Sequence, residues 1–272
     1  VRASDLGPAV LVVLAAGCTS ALHEPPPVTE LGMEDATPAT GADAASLVTA
    51  ADAALEMSFD ADSVQRARQL YLQAASTDDP PVEAYLGAAR ATAWLVEHGD
   101  DPARRREMAT QGVQIGQLCR ERFPGEPECR YRLALAVGQQ ARERPSTAAD
   151  GLDVMVRLLR ELTLEAPELD AAGPDRVLAL VLLRAPGWPS GPGDPEVGLE
   201  HARAAAERFP DHPPNQLVLG EALLENGFSA DGRRALRLGL DLAERRAAAG
   251  DPLASGWLAE AREAVRESHR TP

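Results

Sequence analysis

From Ala44 onward, apolar residues return at intervals of three and four. Leu47, Val48, Ala51, Ala54 and Leu55 make one stripe, and Val64, Ala67, Leu70, Tyr71 and Ala74 make the next. That spacing places side chains on one face of a helix. The pattern predicts helices over 44–59, 62–76, 81–97, 102–122, 128–143, 148–165, 174–184, 195–208, 214–226, 229–248 and 252–267. Many of the starts carry a proline or a capping side chain, as at Asp101-Pro102, Ser146-Thr147, Asp194-Pro195, Ser229 and Asp251-Pro252. No stretch sustains the two-residue alternation of a strand.

The stops are as regular as the stripes. Pro80, Pro124, Pro167 and Pro210 follow one another at 44, 43 and 43 residues. Proline has no amide donor and clashes with the turn before it, so each marks the end of a helix. Two stops share the sequence Glu-Arg-Phe-Pro, at 121–124 and 207–210. Fixed punctuation of this length signals a repeat architecture. The expected fold is all-α: a helical-hairpin solenoid over residues 44–268, about 10–11 helices with a period near 43. The last pair resembles a tetratricopeptide repeat, with Leu219-Gly220, Leu223 and Gly227 on its first helix and Gly232, Leu236 and Gly239 on its second. Small residues let paired helices approach, and the large one fills the neighbour's groove.

Before Ala44 the pattern changes twice. Ala9 to Gly17 is a short apolar run ending in small residues, too short to span a bilayer and shaped like a signal-peptide core. An ordinary secretory signal or a buried strand reads the same way. The ending Leu14-Ala15-Ala16-Gly17-Cys18 resembles a bacterial lipobox. That resemblance implies removal of 1–17, a lipid on Cys18 and, with Thr19 rather than aspartate next, an outer-membrane location facing the periplasm. Residues 18–43 contain Pro25-Pro26-Pro27 and scattered acids without an apolar period, the composition of a disordered tether.

Composition narrows the function classes. Only 4% of residues are aromatic and the net charge is −15, so the core is Ala, Leu and Val, and a nucleic-acid binder, which needs a cationic surface, is disfavoured. Every basic residue is arginine, which excludes Schiff-base, phosphate-loop and Ser-Lys lysine chemistry. The five histidines form no metal-ligand spacing, and no nucleophile motif is present. No catalytic residue, metal or cofactor is expected.

Residues 172–227 carry the closest resemblance: Gly173-Pro174-Asp175-Arg176-Val177-Leu178, Ala185-Pro186-Gly187-Trp188-Pro189, Gly193-Asp194, Asn215 and Gly220-Glu221-Ala222-Leu223-Leu224. This stretch resembles the T-component family of tripartite ATP-independent periplasmic (TRAP) transporters, with Ala172 and Ala179 where that pattern has glycines. The resemblance implies a lipid-anchored, non-catalytic scaffold whose partner is a periplasmic solute-binding protein. A structural envelope-assembly lipoprotein, or a helical protein binding a small apolar ligand, is the alternative. A homo-oligomer is also compatible with the sequence.

Candidate site residues follow. Cys119 and Cys129 lie ten apart across the Pro124 turn, where an oxidising compartment favours a disulfide; two small buried thiols is the other reading. The Pro- and Gly-rich loop 184–197 replaces a short turn, and such loops are frequently functional. On that reading Trp188 packs into, and Arg176 points toward, a cavity or partner surface. On the other, Trp188 plugs the core and Arg176 pairs with a carboxylate. Tyr85, Trp94, Arg130, Tyr131 and Arg132 fall on first helices, which line the concave face of such stacks, as partner contacts; Tyr85 and Trp94 also read as core.

Overall fold

The computed structural model describes residues 20–31, 43–57, 60–251 and 253–269. Among them the chain forms eleven α-helices and no strand: α1 (Ala44–Met57), α2 (Ala61–Ala75), α3 (Val82–His98), α4 (Pro102–Arg122), α5 (Pro127–Glu143), α6 (Ala148–Glu165), α7 (Gly173–Arg184), α8 (Pro195–Arg208), α9 (Pro213–Glu225), α10 (Ser229–Ala248) and α11 (Ala254–Ser268). Each helix packs on the next, and first helices also touch one another, α1 on α3, α3 on α5, α7 on α9 and α9 on α11. This is the connectivity of stacked hairpins, a helical-hairpin solenoid.

Local chemistry sets the boundaries. Asp60, Asp101, Glu126 and Asp194 each accept a backbone N–H at a helix start, the last three followed by proline at the first helical position. α9 and α10 end in paired carboxy-terminal bonds. Phe228 N donates to Leu223 O at 2.8 Å and Asp251 N to Arg246 O at 3.1 Å. Gly227 and Gly250 supply the left-handed φ of 83° and 81° that these ends need. Inside the hairpin, small and large residues interlock. A Cβ on Gly220 would lie 2.5 Å from Leu236 Cδ2, and one on Gly239 would lie 2.6 Å from Leu217 Cδ2.

Residues 20–31 correct the expectation of a disordered tether. They form a strap across the second helices. Ala21 and Leu31 are buried, Ala21 N donates to Asp150 Oδ2 at 2.6 Å, and Gln117 Nε2 donates to the His23 carbonyl at 2.9 Å. A strap is held by single anchors rather than by a periodic stripe, so periodicity does not reveal it. Its three prolines also restrict the unfolded chain, which lowers the entropy lost on docking. The signal-like run, Cys18 and residues 32–42 lie outside the described residues.

A disulfide joins Cys119 to Cys129, with Cα atoms 5.3 Å apart and ten residues between them. Both side chains are buried beside Tyr85 and Phe123. Replacing both cysteines by serine lowers the unfolding free energy by roughly 2–3 kcal/mol on the loop-closure account. Urea unfolding of the oxidised chain against the double variant measures the difference.

Candidate functional site

The polar centre of the molecule lies at the start of α7. Asp170, Ala171 and Ala172 all have left-handed φ, 50°, 51° and 63°, conformations that L side chains resist. Arg176, one turn into α7, fastens this turn. Its guanidinium donates to the carbonyls of Asp170 (3.1 Å) and Ala171 (3.2 Å), to Asn215 Oδ1 (3.0 Å) and to the Asp170 carboxylate (2.7 Å). Asn215, fully buried at the start of α9, donates in turn to the carbonyls of Ala171 and Ala205, both at 3.0 Å. Tyr131 of α5 donates its hydroxyl to Asp170 at 2.7 Å. Burial, reinforced by the Asp170 carboxylate, pushes this phenol well above the usual tyrosine range.

A buried carboxylate stands in the first turn of α7. Asp175 is 4% exposed and meets His201 Nδ1 at 2.8 Å and Arg208 at 3.1 Å. Among the described residues no serine or cysteine is hydrogen-bonded to His201, so the Asp–His pair is not joined to a nucleophile. Both networks clamp α7 to the loop before it and to α8 and α9. No group of three or more His, Cys, Asp or Glu among the described residues is placed to hold a metal ion.

These contacts reassign several expected contact residues. Arg176 and Tyr131 are internal, as is Tyr85, which donates to the Ala75 carbonyl at 3.3 Å and packs edge-on against Phe123. Trp94 is half-buried and stacks on His98, ring centroids 4.2 Å apart. Arg130 is bonded to Glu165. Trp188 neither plugs the core nor fills a cavity: it is 91% exposed. It stands beyond the far end of α7, about 12 Å of helix from Arg176 and four residues past the last turn, so the two do not form one site. Loop 185–194 folds on itself instead. Gly193 N donates to the Pro186 carbonyl at 2.8 Å, and the close approach of Gly193 to the Ala185 carbonyl leaves no room for a Cβ.

A feature that sequence reasoning missed is an open cleft of about 830 Å³ between α9, α10 and α11. Leu217, Val218, Leu224, Leu236 and Ala264 give it apolar walls, and Glu221, Glu225, Glu260, Glu263 and Glu267 outnumber Arg184 and Arg233 around them. Arg184 forks onto Glu221 through two bonds, 2.7 and 2.6 Å. Partial desolvation, augmented by Glu221, pushes the Glu260 carboxyl above its ordinary range, against the pull of Arg184. No local motif marks the cleft, because its residues come from four helices.

His212 lies at the start of α9, where the charges of Arg176 and Asp170 act on it. Burial and the nearby Arg176 charge push its imidazole down to about 4 from 6.5, partly opposed by Asp170. The ring meets Trp257 edge-on at 5.3 Å. The unfolded chain therefore binds a proton that the folded chain refuses between these two values. The His212 contribution to stability is complete above 6.5 and erodes as pH falls toward about 4. His212→Gln flattens that part of the stability–pH curve, measured by thermal melts across the range.

Among the described residues, no helix is long and apolar enough to cross a membrane. Comparison with known proteins gives no matching family model and no matching curated protein.

Proposed function

We propose that this protein is a non-catalytic, lipid-anchored scaffold of the cell envelope that binds a partner protein. The carrying observation is the cleft between α9, α10 and α11. Its apolar walls give a partner side chain something to bury against, and its excess of carboxylates selects a basic surface. The buried Arg176 and Asp175 networks are engaged in holding helices together, which fits a scaffold rather than a reaction centre. The stretch 172–227 resembles TRAP T-components, so the partner of first choice is a periplasmic solute-binding protein. Cys18 is the anchor and the outer membrane the site of attachment.

The test is capture of solute-binding proteins from envelope fractions, followed by titration of the purified pair. Glu263→Arg with Glu267→Arg reverses two cleft charges without touching the core. The variant should bind at least about tenfold more weakly, the loss of one good ion-pair interaction. Unchanged affinity removes the cleft from the interface, and recovery of no solute-binding protein removes the transporter reading.

A further inference from the structure

Alternate turns of a hairpin solenoid lie along the same edge. The turns α3–α4, α5–α6, α7–α8 and α9–α10 share one, and side chains tie them together. Arg142 at the end of α5 meets Glu97 at the end of α3 at 3.5 Å. Leu182 near the end of α7 and Val197 at the start of α8 pack into the core cluster that holds Val154 and Met155 of α6. Asn226 after α9 donates to the Pro195 carbonyl at 2.9 Å.

Two of the large exposed apolar side chains stand on this edge, and both are aromatic. Trp188 is 91% exposed and Phe228 is 49% exposed. A tryptophan this exposed is unusual for a side chain that is highly buried on average. Its ring suits a boundary that is apolar on one side and wet on the other.

The strap begins on the same edge. Ser20 Oγ lies 3.3 Å from Asp150 Oδ2, in the first turn of α6, and Ala21 N lies 2.6 Å from the same oxygen. Cys18 precedes Ser20 by two residues in the sequence. The described start of the strap and the exposed aromatics share an edge, and a lipid at Cys18 would bring that edge to the bilayer.

We propose that this edge rests on a membrane, with Trp188 and Phe228 seated among the headgroups of a zwitterionic bilayer. The proposal rests on the reading of Cys18 as the anchor. Aromatic side chains favour the headgroup level, where the ring is desolvated and its polar group stays hydrated. Zwitterionic lipid is specified by charge: the neighbouring cleft carries Glu225, Glu263 and Glu267, which repel an anionic surface. The protein is then held at two places, by the acyl chains and by the loop, which fixes which way the cleft faces.

The experiment uses the protein isolated from membranes and placed in phosphatidylcholine vesicles with brominated acyl chains. With Trp94→Phe and Trp257→Phe, Trp188 is the remaining indole of three. Its emission should shift to the blue and be largely quenched by the brominated lipid. A second variant keeping only Trp257, on the first turn of α11 at the opposite edge, should keep its emission. Trp188 emission that stays at the aqueous wavelength and unquenched on vesicle-bound protein overturns the proposal. So does a Trp188 that responds only when a partner protein is added. Mass spectrometry of Cys18 tests the anchor reading separately. If Cys18 carries no lipid, coupling its thiol to a maleimide lipid repeats the vesicle measurement, since Cys119 and Cys129 are bonded to each other.

Discussion

Arg176→Met lowers the unfolding free energy by roughly 2–3 kcal/mol, the cost of leaving the buried Asn215 amide oxygen and two turn carbonyls without their cationic donor. The guanidinium is 11% exposed and holds a carboxylate, two carbonyls and an amide oxygen at once. Methionine keeps the apolar stem and deletes every donor. Asp170 then faces the Tyr131 hydroxyl alone, and the carbonyls of the left-handed turn lose part of their satisfaction. The turn itself costs roughly 1–2 kcal/mol per residue to maintain, so the clamp and the strain stand or fall together. Ala171→Gly isolates the strain: it removes the Cβ conflict while keeping the carbonyl, and should raise stability by about 0.5 kcal/mol after glycine's own entropic cost. Urea midpoints of both variants decide the matter. Arg176→Met with unaltered stability but lost partner binding would return Arg176 to the surface role that its sequence context suggests.

Much of the fold is legible because its punctuation is chemical. Prolines 80, 124, 167 and 210 each fall within five residues after the last residue of a second helix, and aspartate–proline pairs open α4 and α8 where expected. The cysteine pair is legible for the same reason, since two residues flanking one tight turn between antiparallel helices are brought together. The left-handed turn is not legible. Asp170-Ala171-Ala172 contains neither glycine nor asparagine, the residues that normally announce such a conformation. The φ of 63° at Ala172 is one that glycine adopts more readily. Trp188 was open to two packed readings because aromatic residues in Pro-Gly loops usually find a cavity, whereas this loop closes through its own backbone. The cleft was illegible because Arg184, Glu221, Arg233 and Glu263 are contributed by four helices and no local pattern links them.

Arg68→Met is expected to cost about 2 kcal/mol, as for hydrogen bonds between a cation and neutral buried acceptors, and to release the strap. Arg68 sits in the middle of α2 at 2% exposure, yet among the described residues its hydrogen-bond partners are all neutral. Its Nε donates to Thr92 Oγ1 of α3 at 2.8 Å, and Nη2 donates to Gln111 of α4 and to the carbonyl of Leu31 at 3.1 Å. Gln111, which accepts through Oε1, donates from Nε2 to Glu107 Oε1 at 3.1 Å. Burial, with help from Arg104 and against Glu107, pushes the guanidinium down to about 10, so it remains cationic at neutral pH. One side chain therefore ties three helices to the end of the strap, while Asp150 ties its beginning. Losing Arg68 leaves Leu31 held by apolar contact alone, and residues 20–31 should become susceptible to limited proteolysis before the helices unfold. Asp150→Ala should free the opposite end at about 1–2 kcal/mol, the loss of one charge-assisted bond. If both variants leave the strap resistant to protease while global stability falls, Ala21 and Leu31 hold it by burial. If Arg68→Met frees it, one buried arginine holds the end of the strap to α2, α3 and α4.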